Sequence, residues 1–107
     1  RVKALATTTA KRSPSWPELP TVAESGVPGF EVSAWFGVMA PAATPKAIVE
    51  RLSADIQKVM RLADVRELLA SQGNDAIGST PEEFTRFYRA EVDKWAKVVA
   101  AAKLKAE

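Results

Sequence analysis

Residues 30–45, FEVSAWFGVMAPAATP, decide how this chain is read. Between residues 30 and 40, Phe30, Val32, Ala34, Phe36, Val38 and Ala40 make one face, and Glu31, Ser33, Trp35, Gly37 and Met39 make the other. Side chains alternate across an extended backbone, so this period of two predicts a strand whose even face lies in a core. Pro41 and Pro45 then stop it, and Thr44 followed by Pro45 has the form of a helix start. Residues before this stretch read as strand and loop, and residues after it as helix. A segment passing from one regime to the other is expected to cross between two structural units.

The odd face carries a small hydroxyl, a large aromatic ring and a glycine in succession. That combination suits a cleft wall with one polar contact and room for close approach. It suits equally a Trp35 packed under a helix beside a bulge at Gly37. The parity itself is a definite expectation: Phe36 and Val38 buried, Ser33 and Trp35 pointing the other way.

Upstream, residues 2–8 alternate as a short strand that ends in Thr7, Thr8 and Thr9. Hydroxyls gathered where a strand ends can donate to a carboxylate, because ligands of open α/β sheets bind beyond the carboxyl ends of strands. Threonine is also a β-former that suits turns, and that reading accounts for the same residues. The following run, KRSPSWPELPTVAESGVPG, holds Pro14, Pro17, Pro20 and Pro28, which forbid a continuous helix or central strand. Residues 21–25 fit one helical turn capped by Thr21 and ended by Gly26. Lys11 and Arg12 could meet an anion, although a solvated pair is the commoner fate of such residues, and Trp16 reads either as an exposed anchor for a partner or, more commonly, as a cover over the edge of the core.

Downstream the punctuation predicts three helices. The first starts at Thr44 and Pro45 and carries the stripe Ile48, Val49, Leu52, Ile56, Val59 and Met60. The second is capped by Asp64, buries Val65, Leu68 and Leu69 and ends at Gly73, with a brief strand at residues 74–77 after it. The third opens on Thr80, Pro81, Glu82 and Glu83, a capping box with proline at its first position. Phe84, Phe87, Tyr88, Val92, Trp95, Val98 and Val99 form its inner face. Glu82 with Arg86, Arg89 with Asp93 and Asp93 with Lys97 are spaced for ion pairs on its outer face. The tail AAAKLKAE is expected to continue this helix and fray.

Composition narrows the function. The chain has 107 residues, 47% hydrophobic and 26% charged, which suits a globular domain or part of one. It has neither cysteine nor histidine, so it lacks a thiolate nucleophile, the usual general base and the commonest metal ligands. No phosphate loop, dinucleotide fingerprint or nucleophile elbow is present, and catalysis is not expected. The net charge of +2 is too small to call for a polyanion, and the basic residues lack an aromatic platform, so no nucleic-acid partner is expected. The opening RVKALATTT reads as a strand already under way, as in a piece of a longer chain.

Several of these stretches occur together in one family. RVKALATTTAKRSPSWPELPTVAESGVPGFEVSAWFGVMAPAATPKAIVERLSADI, then VRELLASQG, TPEEF and EVDKWAKVV, closely resembles the C-terminal portion of the Bug family. These are the extracytoplasmic solute receptors of tripartite tricarboxylate transporters. The KRSP…LPTVAESG loop, the SAWFGVMAPAATP segment and the TPEEF helix start carry most of the resemblance, which covers essentially the whole chain.

The resemblance implies an α/β fold: the C-terminal fragment of a two-lobed, type II periplasmic-binding-protein-like structure, here with two or three strands and three main helices. Residues 1–32 would finish the second lobe, residues 33–44 would cross as hinge strand and linker, and residues 45–107 would return to complete the first lobe. It further implies a periplasmic protein that holds a small carboxylate between its lobes without cofactor, metal or catalysis, and that works with membrane transporter subunits. The family's N-terminal loops have no counterpart in this chain. That leaves Thr7, Thr8, Ser33 and Trp35 as its candidate ligand contacts. Such a fragment is expected to self-associate. The competing expectation is a structural or protein-interaction α/β module with no small-molecule ligand.

Overall fold

The helical half folds into the three helices its punctuation predicts: α1 (Lys46–Val59), α2 (Ala63–Ser71) and α3 (Pro81–Ala101). The computed structural model describes residues 2–104. It contains two compact units, Arg1–Met39 and Ala40–Glu107.

The start of α3 is the most local of these features. Thr80 Oγ1 accepts from the amide of Glu83 at 3.2 Å, and the Glu83 carboxylate accepts from the amide of Thr80 at 2.8 Å. Two otherwise orphaned donors are thus satisfied reciprocally, with Pro81 inside the first turn where its missing N–H costs nothing. The helix closes at Ala102, where the amide of Leu104 reaches back to the carbonyl of Val99 at 3.1 Å. The expected continuation through residues 105–107 lies outside the described residues.

The other two starts differ from expectation. Thr44 does not cap α1. Pro45 takes the N-cap position, because its carbonyl accepts the first helical bonds, from the amides of Ile48 and Val49 at 2.9 and 3.3 Å, and proline has no side-chain oxygen to cap with; Thr44, one residue upstream, closes a turn through its amide on the carbonyl of Pro41. The α2 cap is Leu62, and Asp64 lies within the first turn. The amides of Arg61 and Leu62 still bond to Lys58 and Val59, so the chain turns directly from α1 into α2 and leaves no room for a polar cap. Asp64 still places its charge near the positive end of the helix. The end of α2 is as expected: the amides of Gly73 and Asn74 bond to Ala70 and Leu69.

The apolar stripes are wider than their cover. On α1 the half-buried residues include Val49, Ser53, Ile56, Gln57 and Met60, whereas Ile48, Leu52 and Val59 are exposed. The covered line is therefore rotated toward Ser53 and Gln57, which bond to each other at 3.1 Å. On α2, Val65 and Leu69 are half-buried and Leu68 is exposed. On α3 only Phe84 of the expected inner face is half-buried. Phe84 lies 6.4 Å, centroid to centroid, from both Phe87 and Tyr88. α1 packs on α3, but two helices touching along one line cannot cover an aromatic face this broad.

The three ion pairs expected on α3 do not form among the described residues. The pair that does is Lys94 with Glu91, whose carboxylate also accepts from the Trp95 indole at 3.0 Å. The exposed pairs on α1, Lys46 with Glu50 and Arg51 with Asp55, are worth about 0–1 kcal/mol each.

The expected strands are the main correction. Among the described residues there is no strand, only a single parallel bridge between Thr7 and Thr21. Residues 2–6, 30–40 and 74–77 have no ladder. The parity expectation fails with them: Phe36 is 89% exposed and Val38 is 74% exposed. Alternation in sequence specifies two faces, but a strand exists only where a second strand accepts its hydrogen bonds and a second layer covers its face. Among the described residues no hydrophobic side chain is fully buried.

Candidate functional site

Thr7 and Thr8 sit at the middle of a three-segment cluster within the first unit. The amide of Thr7 donates to the carbonyl of Pro20 at 2.9 Å, and the carbonyl of Thr7 accepts from Val22 at 2.9 Å. Thr8 faces the other way, its carbonyl accepting from the amide of Val32 at 2.8 Å. In extended backbone, successive residues present their polar groups to opposite sides. One threonine thus binds the proline-rich loop and the next binds the segment leading to Ser33.

The proline-rich loop holds its side of this cluster through a second capping box. Thr21 Oγ1 accepts from the amide of Glu24 at 3.1 Å, and Glu24 Oε2 accepts from the amide of Thr21 at 2.8 Å. Arg12 Nε donates to the same Glu24 oxygen at 2.9 Å, so of the two readings Arg12 meets an anion, across the loop, while both side chains stay about half exposed. Thr21 is only 1% exposed. The turn at residues 21–26 forms as expected, as a single turn. The spacing Thr21-Val22-Ala23-Glu24 repeats that of Thr80-Pro81-Glu82-Glu83, so the signal for this clasp was present in the sequence.

Both capping carboxylates titrate low. The Glu24 carboxyl is held below its ordinary value first by the Thr21 amide and then by Arg12. The Glu83 carboxyl is lowered by its hydrogen bonds from the Thr80 amide and side chain. A group with a lowered folded-state pKa binds fewer protons when folded. Its contribution is fully present above the ordinary carboxylate range and is lost as pH falls through the lowered value. Carboxyl-carbon NMR titration should therefore give midpoints for Glu24 and Glu83 below the ordinary carboxylate range. Midpoints within that range would show that the clasps do not persist in solution.

The four residues singled out in the sequence are unevenly placed. Thr7 is half-buried, and its hydroxyl accepts from Thr9 Oγ1 at 3.3 Å. Thr8 is exposed. Ser33 is half-buried and directly follows Val32, so the Val32–Thr8 hydrogen bond brings the Thr8 and Ser33 backbones side by side. Trp35, two residues on, is half-buried. A groove of about 490 Å³ borders the cluster, lined by Ala4, Ala6, Thr7, Trp16, Glu18 and Leu19. Of the four residues only Thr7 lines it. Trp16, expected to cover a core edge, is half-exposed at its rim. No group of three or more acidic, histidine or cysteine side chains suited to a metal ion occurs among the described residues. Among them, no helix is long and apolar enough to cross a membrane.

Residues 1–104 match the tripartite tricarboxylate transporter family receptor, TctC. A protein encoded in the tcbD–tcbE intergenic region of a Pseudomonas species is 43% identical over 107 residues, 99% of this chain and 32% of the relative. Protein BugT of Bordetella pertussis is 39% identical over 106 residues, 97% of this chain and 32% of its own. Among solved structures, R. palustris Rpa4515 with adipate superposes with a TM-score of 0.75 at 39% identity, covering 92% of this chain and 33% of that one. The periplasmic binding protein BugD superposes with a TM-score of 0.73 at 34% identity, covering 98% and 36%. The chain thus spans about a third of the length of each of these four proteins. With the family matched along nearly all of its residues and the same backbone course as the periplasmic binding protein BugD, this chain belongs to the TctC/Bug family of extracytoplasmic solute receptors.

Proposed function

We propose that this chain supplies the C-terminal part of a periplasmic receptor that binds a small carboxylate between two lobes and presents it to the membrane subunits of a tripartite transporter. The observation that carries this reading is its likeness to a family structure that holds adipate, a dicarboxylate. Residues 1–32 end the second lobe, residues 33–44 cross as hinge and linker, and residues 45–107 complete the first lobe. Thr7, Thr8, Ser33 and Trp35 face the cleft, their hydroxyl and amide donors supplying part of the carboxylate site.

The cluster around Thr7 supports that assignment. It ties the end of the first extended run to both the proline-rich loop and the segment that leads to Ser33. Hydroxyls fixed by backbone bonds lose little entropy on meeting a ligand, and each charge-assisted hydrogen bond contributes about 1.5–3 kcal/mol. Four candidate residues are a small part of a carboxylate cage, so most donors come from the other two thirds of the receptor.

The test is a thermal-shift screen of the 107-residue chain beside a full-length receptor that carries it, against mono-, di- and tricarboxylates. The full-length protein should shift with at least one carboxylate and the 107-residue chain with none. Equal shifts in both would overturn the claim that most of the site lies outside these residues. No shift in either would overturn the carboxylate reading.

A further inference from the structure

Two chains of hydrogen bonds leave the Lys11–Arg12 dipeptide, and both end on Thr7. The first runs through the clasp. Arg12 Nε donates to Glu24 Oε2 at 2.9 Å, the same oxygen accepts from the Thr21 amide at 2.8 Å, and the residues flanking Thr21 hold the Thr7 backbone. The second runs through side-chain hydroxyls: the Lys11 carbonyl accepts from Thr9 Oγ1 at 2.6 Å, and Thr9 Oγ1 stands 3.3 Å from Thr7 Oγ1. The two routes close a ring that begins and ends at Thr7.

The ring decides how the Thr7 hydroxyl is used. A hydroxyl has one proton and two acceptor lone pairs. Thr9 supplies the proton toward both the Lys11 carbonyl and Thr7 Oγ1, so neither bond draws on the proton of Thr7. That proton is left to donate to a ligand oxygen, and Thr7 borders the groove.

Arg12 keeps the Lys11 carbonyl where Thr9 can reach it. Its planar fork is held at two points, Nε on Glu24 and Nη1 on the Pro17 carbonyl at 3.3 Å. Pro17 itself lies between Trp16 and Glu18, which line the same groove as Thr7. Without the fork the Lys11–Arg12 peptide loses this tether, whereas the Thr7 backbone keeps its own bonds to Pro20 and Val22. The loss then falls on the hydroxyl and not on the chain that carries it.

We propose that Arg12 is a positioning residue of the carboxylate site, which fixes the Thr7 hydroxyl in one orientation through Glu24 and through Lys11 and Thr9 without touching the solute. This rests on the reading of Thr7 as a cleft residue. A donor already aimed loses little freedom on binding, so its orientation appears as affinity.

The test uses a full-length receptor that carries this chain, with adipate as the probe and its threonine methyls labelled for NMR. Without adipate, the couplings of the Thr7 methyl should report a single rotamer, and Arg12→Gln should average them. Exchange of the Thr7 amide should change less than about fivefold in that variant, the limit set by an exposed ion pair. Thr7→Val should weaken adipate binding roughly tenfold or more, and Arg12→Gln roughly three- to tenfold. In the double variant Arg12→Gln should add nothing, because the hydroxyl it orients is gone. Arg12→Lys keeps the charge without the fork and should behave as Arg12→Gln does. Arg12 is about half exposed, so neither substitution opens a cavity.

An unchanged Thr7 rotamer in Arg12→Gln would overturn the proposal whichever solute the receptor holds, since that readout needs none. Losses that add in the double variant would overturn it too, because Arg12 would then act by a route other than Thr7. Adipate held equally well by Thr7→Val and the unaltered receptor would overturn the cleft reading of Thr7, and the proposal with it.

Discussion

Thr21→Val should speed exchange of the Glu24 amide by roughly 2- to 12-fold, the equivalent of about 0.5–1.5 kcal/mol. Valine matches threonine in shape, but it has no oxygen to accept the Glu24 N–H, which now bonds to Thr21 Oγ1 at 3.1 Å. Glu24 is exposed, so water takes up part of the lost bond, whereas Thr21 is the most enclosed side chain among the described residues. The effect should spread. Pro20 and Val22, on either side of Thr21, hold the amide and carbonyl of Thr7, so the Thr7 and Val22 amides should also lose protection. Thr21→Ser keeps the oxygen and should retain most of the protection. Unchanged exchange in Thr21→Val would mean that the clasp does not hold the threonine cluster in place, and with it would go the structural support for Thr7 and Thr8 as cleft residues.

What was legible in the sequence follows the range of the interactions involved. The capping box at Thr80 needs only four consecutive residues, and it forms as read. The ends of α2 and α3 and the turn at residues 21–26 are local in the same sense. Thr44 and Asp64 misled because a cap also depends on where the helical bonds begin: those of α1 begin at the carbonyl of Pro45, one residue past Thr44, and Leu62 follows α1 too closely for Asp64 to lead the helix. Strands depend on range entirely. The alternation from Phe30 to Ala40 is real, yet Phe36 lies open, because the period of two records which face seeks cover and not where the cover comes from.

The candidate site divides along the same line. The sequence shows threonine hydroxyls where an extended run ends and Ser33 two residues before Trp35, and their meeting a ligand is the proposal made above. That Thr7 and Thr8 turn their backbones to different neighbours could not be read there, since it is set by bonds to Pro20 and Val32, which lie 13 and 24 residues away in the chain. Thr21 and Glu24 carried a readable signal, the same threonine-to-glutamate spacing as at Thr80. Arg12 completes that clasp from twelve residues off, and nothing local distinguishes it from Lys11.

Gly78→Val should destabilise the helical unit by about 2–4 kcal/mol, through two separate causes. Gly78 lies in the loop between α2 and α3 with φ of +61°, in the left-handed region. A side chain there costs about 1–2 kcal/mol, and a β-branched one is a clear outlier. A Cβ at this position would also stand 3.1 Å from Met60 Cβ, 3.6 Å from Met60 Cγ and 3.8 Å from the Cα of Gln57. The nearest atom belongs to the C-cap of α1, not to the flexible end of a side chain, so the loop or the helix must move. Gly29 provides the control, because it has a φ of +77° with nothing within 4 Å of the position a Cβ would take. Gly29→Val should therefore show the backbone cost alone, and Gly78→Asn should relieve much of that cost while keeping the overlap with Met60. Urea unfolding followed by helical circular dichroism would read the helical unit, and amide exchange at residues 27–32 would read the control. If Gly78→Val matched the unsubstituted chain in both midpoint and slope, the close approach of this loop to the end of α1 would not exist in solution. α3 would then owe its position beside α1 to their shared contact line alone.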